Sequence, residues 1–87
     1  MNAWFDRYLK SLEAGDAVLL PEEAKLVLDL AGEAAHTSGA RQFAPLAAYL
    51  AGRAAAGLSQ NERLQVLEQA KRAAAAAGSA GEDLELG

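Results

Sequence analysis

Apolar residues recur at helical spacing in four separate stretches of the chain, and each stretch is bounded by residues that start or stop helices. No stretch alternates apolar and polar residues as a half-buried strand does. Short connections between helices favour antiparallel neighbours. We therefore predict an all-α fold, a small antiparallel four-helix bundle. The predicted helices cover residues 2–14, Pro21 to near His36, Pro45 to Gly57, and the residues from Ser59 to near Gly78.

The ends of these helices carry specific local signals. Pro21 and Pro45 suit the first turn of a helix, where a missing N–H costs nothing. Gly39 is the expected terminator of the second helix. Ser59 and Glu62 have the spacing of a capping box, in which each side chain bonds to the backbone of the other. These signals predict where the second, third and fourth helices begin or end.

The length of 87 residues is enough for one domain and not for two. We place this domain at residues 1–78. Residues 79–87 combine small residues with Glu82, Asp83 and Glu85, which is typical of a flexible segment. The sequence thus predicts one helical domain followed by a disordered acidic C-terminal tail.

The hydrophobic share of 52 % includes many alanines, which favour helix but bury little area. The larger apolar residues are therefore expected to build the core. Trp4, Phe5 and Tyr8 share one helical face, and we interpret them as core in preference to an exposed aromatic patch. The other predicted inner positions are Val27, Leu28, Ala31, Ala34 and Ala35 in the second helix and Leu64, Leu67, Ala70 and Ala74 in the fourth.

The third helix carries two different edges. Leu46, Tyr49, Leu50 and Arg53 make one edge, and they belong to the large apolar group expected to build the core. Small residues make the other edge, at Ala48, Gly52 and Ala55. We interpret the small edge as an intramolecular helix crossing in preference to a dimer seam.

Composition narrows the function classes. The chain has no cysteine, which excludes disulfides and thiolate metal sites. No apolar run approaches the roughly 20 residues that span a bilayer, and the N-terminus lacks the features of a signal peptide. We therefore expect a cytoplasmic protein with no membrane partner. The net charge of −4 disfavours nucleic acid as a partner.

The connection between the second and third helices is the one unusual stretch. His36 and Arg41 fall in an interval without acidic residues, and they can bring positive charge to a helix start, where N–H groups favour an anion. Thr37 and Ser38 can add hydroxyl donors. These four residues are the candidate contact for an anion or a partner. The favoured alternative is that His36 bonds to the last carbonyls of its helix and Arg41 is solvated.

Catalytic and metal-binding constellations are missing from the sequence. His36 is the single histidine, and Glu33 is the one acidic residue spaced to share its helix face. We therefore expect no enzymatic activity, no cofactor and no metal. A hydrolase or transferase that uses His36 as a general base is the least favoured alternative.

A longer pattern includes residues 27–31 and 49–52 and, between them, His36, Arg41, Ala44, Pro45 and Leu46. On these positions the chain resembles a family of small bacterial helical domains of unknown function, DUF6457, over about residues 2–77. Gln42 and Phe43 depart from the proline and alanine that the family usually shows after the arginine.

Domains of that family occur alone or fused to the molybdenum cofactor guanylyltransferase. The resemblance therefore implies a non-catalytic accessory or interaction domain beside molybdopterin guanine dinucleotide synthesis. Its implied partner is that guanylyltransferase or a second copy of the chain. The alternative function is a homo-oligomeric helical structural module with no small-molecule ligand.

Overall fold

The computed structural model describes residues 3–13 and 19–77. These residues form four α-helices and no strand, so the predicted all-α class is confirmed. The predicted tail at 79–87 lies outside the described residues. The helices are α1 (Ala3–Ser11), α2 (Pro21–Ser38), α3 (Phe43–Ala55) and α4 (Gln60–Ala76).

Two of the predicted helix boundaries follow from local hydrogen bonds. Gly39 ends α2 with φ of 73°, and its N–H donates to the carbonyl of Ala35. Glycine adopts this left-handed conformation without steric cost. At the start of α4, the N–H of Glu62 donates to Ser59 Oγ at 3.3 Å and the N–H of Ser59 donates to Glu62 Oε1 at 3.2 Å. The predicted terminator and capping box are both confirmed.

The start of α3 differs from the prediction. The helix begins at Phe43, two residues before Pro45. The N–H groups of Phe43 and Ala44 donate to the carbonyls of Ala40 and Arg41, and this tight turn extends the helix backwards. Pro45 still lies in the first turn, where no helical hydrogen bond requires its N–H.

Helices α2 and α4 run parallel to each other. Glu23, in the first turn of α2, contacts Arg63 in the first turn of α4. Thr37, in the last turn of α2, contacts the carbonyl of Ala74 near the end of α4. Because α3 joins the end of α2 to the start of α4, it runs in the opposite direction to both. The neighbouring pairs α2–α3 and α3–α4 are thus antiparallel, as predicted, whereas α2 and α4 form an additional parallel pair.

The packed core is built by α2, α3 and α4. One residue from each helix, Leu30, Ala51 and Leu67, forms its centre. The positions predicted in α4 are confirmed for Leu67, Ala70 and Ala74. The prediction for Leu28 is wrong, since this side chain is 72 % exposed. The residues packed around the centre are Leu26, Val27, Ala47, Ala70 and Ala74.

Helix α1 stands apart from this core. No Cα atom of α1 lies within 8 Å of a Cα atom of the other three helices. Trp4 and Tyr8 are exposed, and the prediction that they belong to the core is wrong. Phe5, the third residue of that prediction, is only half-buried. The Trp4 ring packs against the rings of Phe5 and Tyr8.

None of the helices in the described residues is both long enough and apolar enough to cross a membrane.

Candidate functional site

The side of α3 that faces away from the core carries three large apolar residues. Leu46, Tyr49 and Leu50 are 47 %, 64 % and 59 % exposed. The Arg53 guanidinium lies 5.8 Å from the centroid of the Tyr49 ring, within the range of a cation–π contact. These four residues have the spacing i, i+3, i+4 and i+7, so they share one helical face. We call them the outer face of α3.

The opposite side of α3 is made of alanine. Ala51 and Ala55 are buried, and Ala47 packs against the core centre. Small side chains let α3 approach α2 and α4 closely, and this approach leaves no room for leucine or tyrosine on that side. The expectation that Leu46, Tyr49 and Leu50 build the core is therefore wrong.

The predicted small edge of α3 is also shifted by one position. Ala55 is buried as expected, but Gly52 is exposed, and a Cβ atom added there would meet nothing within 4 Å. Ala51 lies in the centre of the crossing instead. The interpretation of Gly52 as part of an intramolecular crossing is wrong.

A second exposed apolar surface lies on α1. The Trp4 and Tyr8 rings stack with centroids 5.4 Å apart, and Phe5 meets Trp4 edge-on at 5.0 Å. Leu12, which follows α1, is exposed as well. Trp4, Tyr8 and Leu12 are each separated by four residues, so they form one ridge along the helix. We call these three residues the α1 ridge.

In the predicted anion site, the hydroxyls of Thr37 and Ser38 form hydrogen bonds with backbone groups. The single hydroxyl proton of Thr37 is shared between two carbonyl acceptors, with Oγ1 2.8 Å from the oxygen of Glu33 in α2 and 2.7 Å from that of Ala74 in α4. Ser38 Oγ accepts the N–H of Ala40 at 3.1 Å, just beyond the end of α2. Both residues therefore hold the end of α2 in place.

The other two residues of that site, His36 and Arg41, are solvated. His36 lies exposed in the last turn of α2, and Arg41 is exposed in the connection to α3. Within residues 3–13 and 19–77, no hydrogen bond or ion pair joins either side chain to another residue.

Two of the backbone donors expected at the start of α3 are occupied. The N–H groups of Phe43 and Ala44 donate to the carbonyls of Ala40 and Arg41, and Pro45 has no N–H. The contact of an anion or a partner with His36, Thr37, Ser38 and Arg41 stays a prediction.

A buried ion pair was not recognised from the sequence. Glu23 is 7 % exposed, and its two carboxylate oxygens accept from Arg63 Nε at 3.1 Å and Nη2 at 3.0 Å. Arg63 Nη1 also donates to the carbonyl of Leu58 at 2.9 Å. The hydrogen bond to Glu23 raises the pKa of Arg63, so the guanidinium stays charged. Glu23 precedes Leu30 by seven residues, so both lie on one face of α2. This spacing is the sequence signal that could have predicted the burial of Glu23.

A weaker charge cluster lies between α2 and α4. Asp29 Oδ2 is 3.0 Å from Lys25 Nζ and 3.5 Å from Lys71 Nζ. The hydrogen bond from Lys25, followed by the charges of Lys25 and Lys71, lowers the pKa of Asp29 below its ordinary value. Because these groups are solvated, the cluster contributes little to stability.

A surface depression with a volume of about 520 Å³ lies along the exposed side of α4. It is an open groove whose charged residues, Glu68 and Arg72, pair with each other at 3.3 Å. Within the described part of the chain, no group of three or more His, Asp or Glu residues could hold a metal ion. The groove is lined by Leu64, Gln65, Glu68, Gln69 and Arg72.

A family model described as "Domain of unknown function (DUF6457)" matches residues 1–84 of the chain. The chain belongs to the DUF6457 family. No curated protein and no solved structure matches this DUF6457 chain. The match spans both apolar surfaces described above, the α1 ridge and the outer face of α3.

Proposed function

We propose that this DUF6457 chain is a non-catalytic interaction domain that binds a partner protein through the outer face of α3. The observation that carries this proposal is the exposure of Leu46, Tyr49 and Leu50 on the side of α3 opposite its packed alanines. Contiguous exposed apolar residues on a small domain mark binding surfaces.

The residue types on this face suit protein recognition. Tyrosine and arginine are enriched among the residues that dominate binding energies, and Tyr49 and Arg53 lie together at the face. Leucines at i and i+4 anchor a helix in an apolar groove of a partner. The single cation of the face, Arg53, is too little charge to neutralise several phosphates, so the proposed partner is a protein rather than a nucleic acid.

The proposed partner is a molybdenum cofactor guanylyltransferase, the enzyme to which resembling domains are fused. Under this proposal the chain is an accessory to molybdopterin guanine dinucleotide synthesis. The cytoplasm is the proposed location, in keeping with the absence of cysteine from the sequence.

The surroundings of His36 support a non-catalytic role. A histidine that acts as a general base is normally oriented by a hydrogen bond to a carboxylate or carbonyl. His36 has no such partner among the described residues, and the nearby hydroxyl of Thr37 is engaged with carbonyl groups. The proposal therefore gives His36 no chemical step.

Co-purification with a tagged guanylyltransferase tests the proposal. We expect Leu50→Glu to reduce capture of the chain about tenfold or more, because it places a charge in the centre of the binding face. Leu28→Glu is the matched control, since Leu28 is an exposed leucine on α2 outside that face. Equal capture of the two variants would contradict the proposed binding face, and failure of the wild type to bind would exclude this partner.

A further inference from the structure

The chain carries two apolar surfaces that have no partner within the structure described, and they are complementary in shape. The outer face of α3 contains two i, i+4 ridges, Leu46–Leu50 and Tyr49–Arg53, with a groove between them. The α1 ridge is a single i, i+4 row. Packing such a row into such a groove is the commonest way in which two helices meet in globular proteins.

The two surfaces also agree in length. At 1.5 Å per residue, the α1 ridge from Trp4 to Leu12 spans about 12 Å, and the outer face from Leu46 to Arg53 spans about 10 Å. Each surface is therefore about two helical turns long. Within one chain α1 does not lie against α3, because no Cα atoms of the two helices come within 8 Å.

We propose that two copies of this chain form a two-fold symmetric dimer in which the α1 ridge of each copy packs into the outer face of α3 of the other. Reciprocal contacts of this kind bury both apolar surfaces of each chain at once, and the two-fold symmetry limits the assembly to two chains. The dimer goes beyond the proposed function. Because it covers the outer face of α3, a second copy of the chain and the guanylyltransferase compete for that face.

The available apolar area supports a stable contact. At about 200 Å² per aromatic side chain, the half-exposed rings of Trp4, Tyr8 and Tyr49 offer roughly 300 Å² per chain. Leu12, Leu46 and Leu50 add to this area with similar exposed fractions. A standard interface covers about 800 Å² on each partner, so these six side chains supply a large share of what a dimer needs.

Sedimentation velocity over a concentration series tests the dimer. We expect the apparent mass of the wild type to rise with concentration from 9.0 kDa, the mass of one chain, to twice that value. Trp4→Glu and Leu50→Glu are each expected to raise the dissociation constant roughly tenfold or more, because symmetry places each change at two contacts. Leu28→Glu, the control, is expected to leave the dissociation constant unchanged. A concentration-independent monomer would overturn the proposal.

Mixing the variants tests which helices meet. A mixture of Trp4→Glu and Leu50→Glu chains retains one wild-type α1 ridge opposite one wild-type outer face. The mixture is therefore expected to dimerise more strongly than either variant alone. If Leu50→Glu disrupted the dimer and Trp4→Glu did not, the contact would be α3 against α3, and the proposed arrangement would be wrong.

The single tryptophan provides a second readout. We expect Trp4 fluorescence to shift to shorter wavelength and to become less accessible to acrylamide as the wild type dimerises. Leu50→Glu, which alters only the receiving surface, should abolish both changes. Protection of Trp4 in a monomer would mean that α1 folds onto its own chain, and it would overturn the dimer. Trp4→Glu leaves the outer face of α3 unaltered and frees it from the dimer, so it is expected to increase capture by the guanylyltransferase, whereas Leu50→Glu reduces both capture and dimerisation. The two proposals therefore fail separately.

Discussion

At the scale of single residues, the same side chain has opposite roles on neighbouring helices. Leu30 is 1 % exposed in the centre of the core, whereas Leu50 is 59 % exposed on the outer face of α3. The contribution of a leucine to stability depends on how tightly its surroundings enclose the atoms that a shorter side chain would lack. Hydrophobicity alone does not distinguish these two positions.

Shortening the two leucines measures this difference. Leu30→Ala is expected to lower the free energy of unfolding by roughly 2–5 kcal/mol, because it removes buried methyl groups and leaves a cavity. Leu50→Ala is expected to change it by less than about 0.5 kcal/mol. Urea denaturation of dilute protein, in which self-association adds no stability, provides the comparison. Equal losses would show that Leu50 is buried within its own chain.

The capping residue Glu62 links stability to pH. The hydrogen bond from the Ser59 hydroxyl, followed by that from the Ser59 N–H, lowers the pKa of Glu62 below its ordinary value of 4.5. A lowered pKa in the folded state means that the stabilisation is present above pH 4.5 and is lost as the pH falls through the folded pKa.

Glu62→Gln separates the hydrogen bonds of this cap from its charge, because glutamine accepts the same bonds without titrating. We expect the variant to lose less stability than the wild type between about pH 5 and about pH 3. Thermal unfolding across that range is the measurement. Identical pH profiles would mean that the carboxylate of Glu62 does not contribute to acid sensitivity.

At the scale of helices, the end of α2 and the start of α4 were predictable from the sequence, the start of α3 was not, and the packed faces were only partly so. Gly39 and the Ser59–Glu62 pair form hydrogen bonds with residues close to them in the chain, so the local sequence is enough to predict them. The inner face of α3 depends on how closely α2 and α4 approach it. Both edges of α3 are apolar, and periodicity does not say whether alanines or larger residues point inward. Periodicity therefore did not predict that Leu46 is exposed and that Ala51 is buried.

Two glycines offer a matched test of the helix geometry. Gly52→Ala is expected to stabilise the fold by about 0.5–1 kcal/mol, because alanine favours helix and the added Cβ meets nothing. Gly39→Ala is expected to destabilise it by roughly 1–2 kcal/mol, because φ of 73° is unfavourable for alanine. Chemical denaturation of both variants checks the opposite signs. A stabilising Gly39→Ala would contradict the left-handed end of α2.

At the scale of the whole molecule, the parallel pair of α2 and α4 is held at both ends. Glu23 and Arg63 join the starts of the two helices, and Thr37 joins their ends to Ala74. The sequence did not predict this pairing, because the two members of each contact lie 40 and 37 residues apart. Only the folded arrangement brings them together.

Removing one partner of the buried ion pair tests its role. Arg63→Ala is expected to lower the melting temperature by several degrees, because it leaves the Glu23 carboxylate buried without a partner. Arg72→Ala, which removes an exposed pair within α4, is the control and is expected to have little effect. A double variant with methionine at positions 23 and 63 should recover part of the loss. Equal melting temperatures for Arg63→Ala and Arg72→Ala would contradict a structural role of the pair.

The parallel pair has a consequence for how the chain reaches its native state. Leu30 is fully enclosed only when Leu67 of α4 packs against it. The chain must first form α3, which turns back along α2. A ribosome delivers residues in order, so α2 and α3 are both synthesised before α4 supplies Leu67 to the core centre. Until α4 is made, the side of α2 that it covers stays open to water or to chaperones.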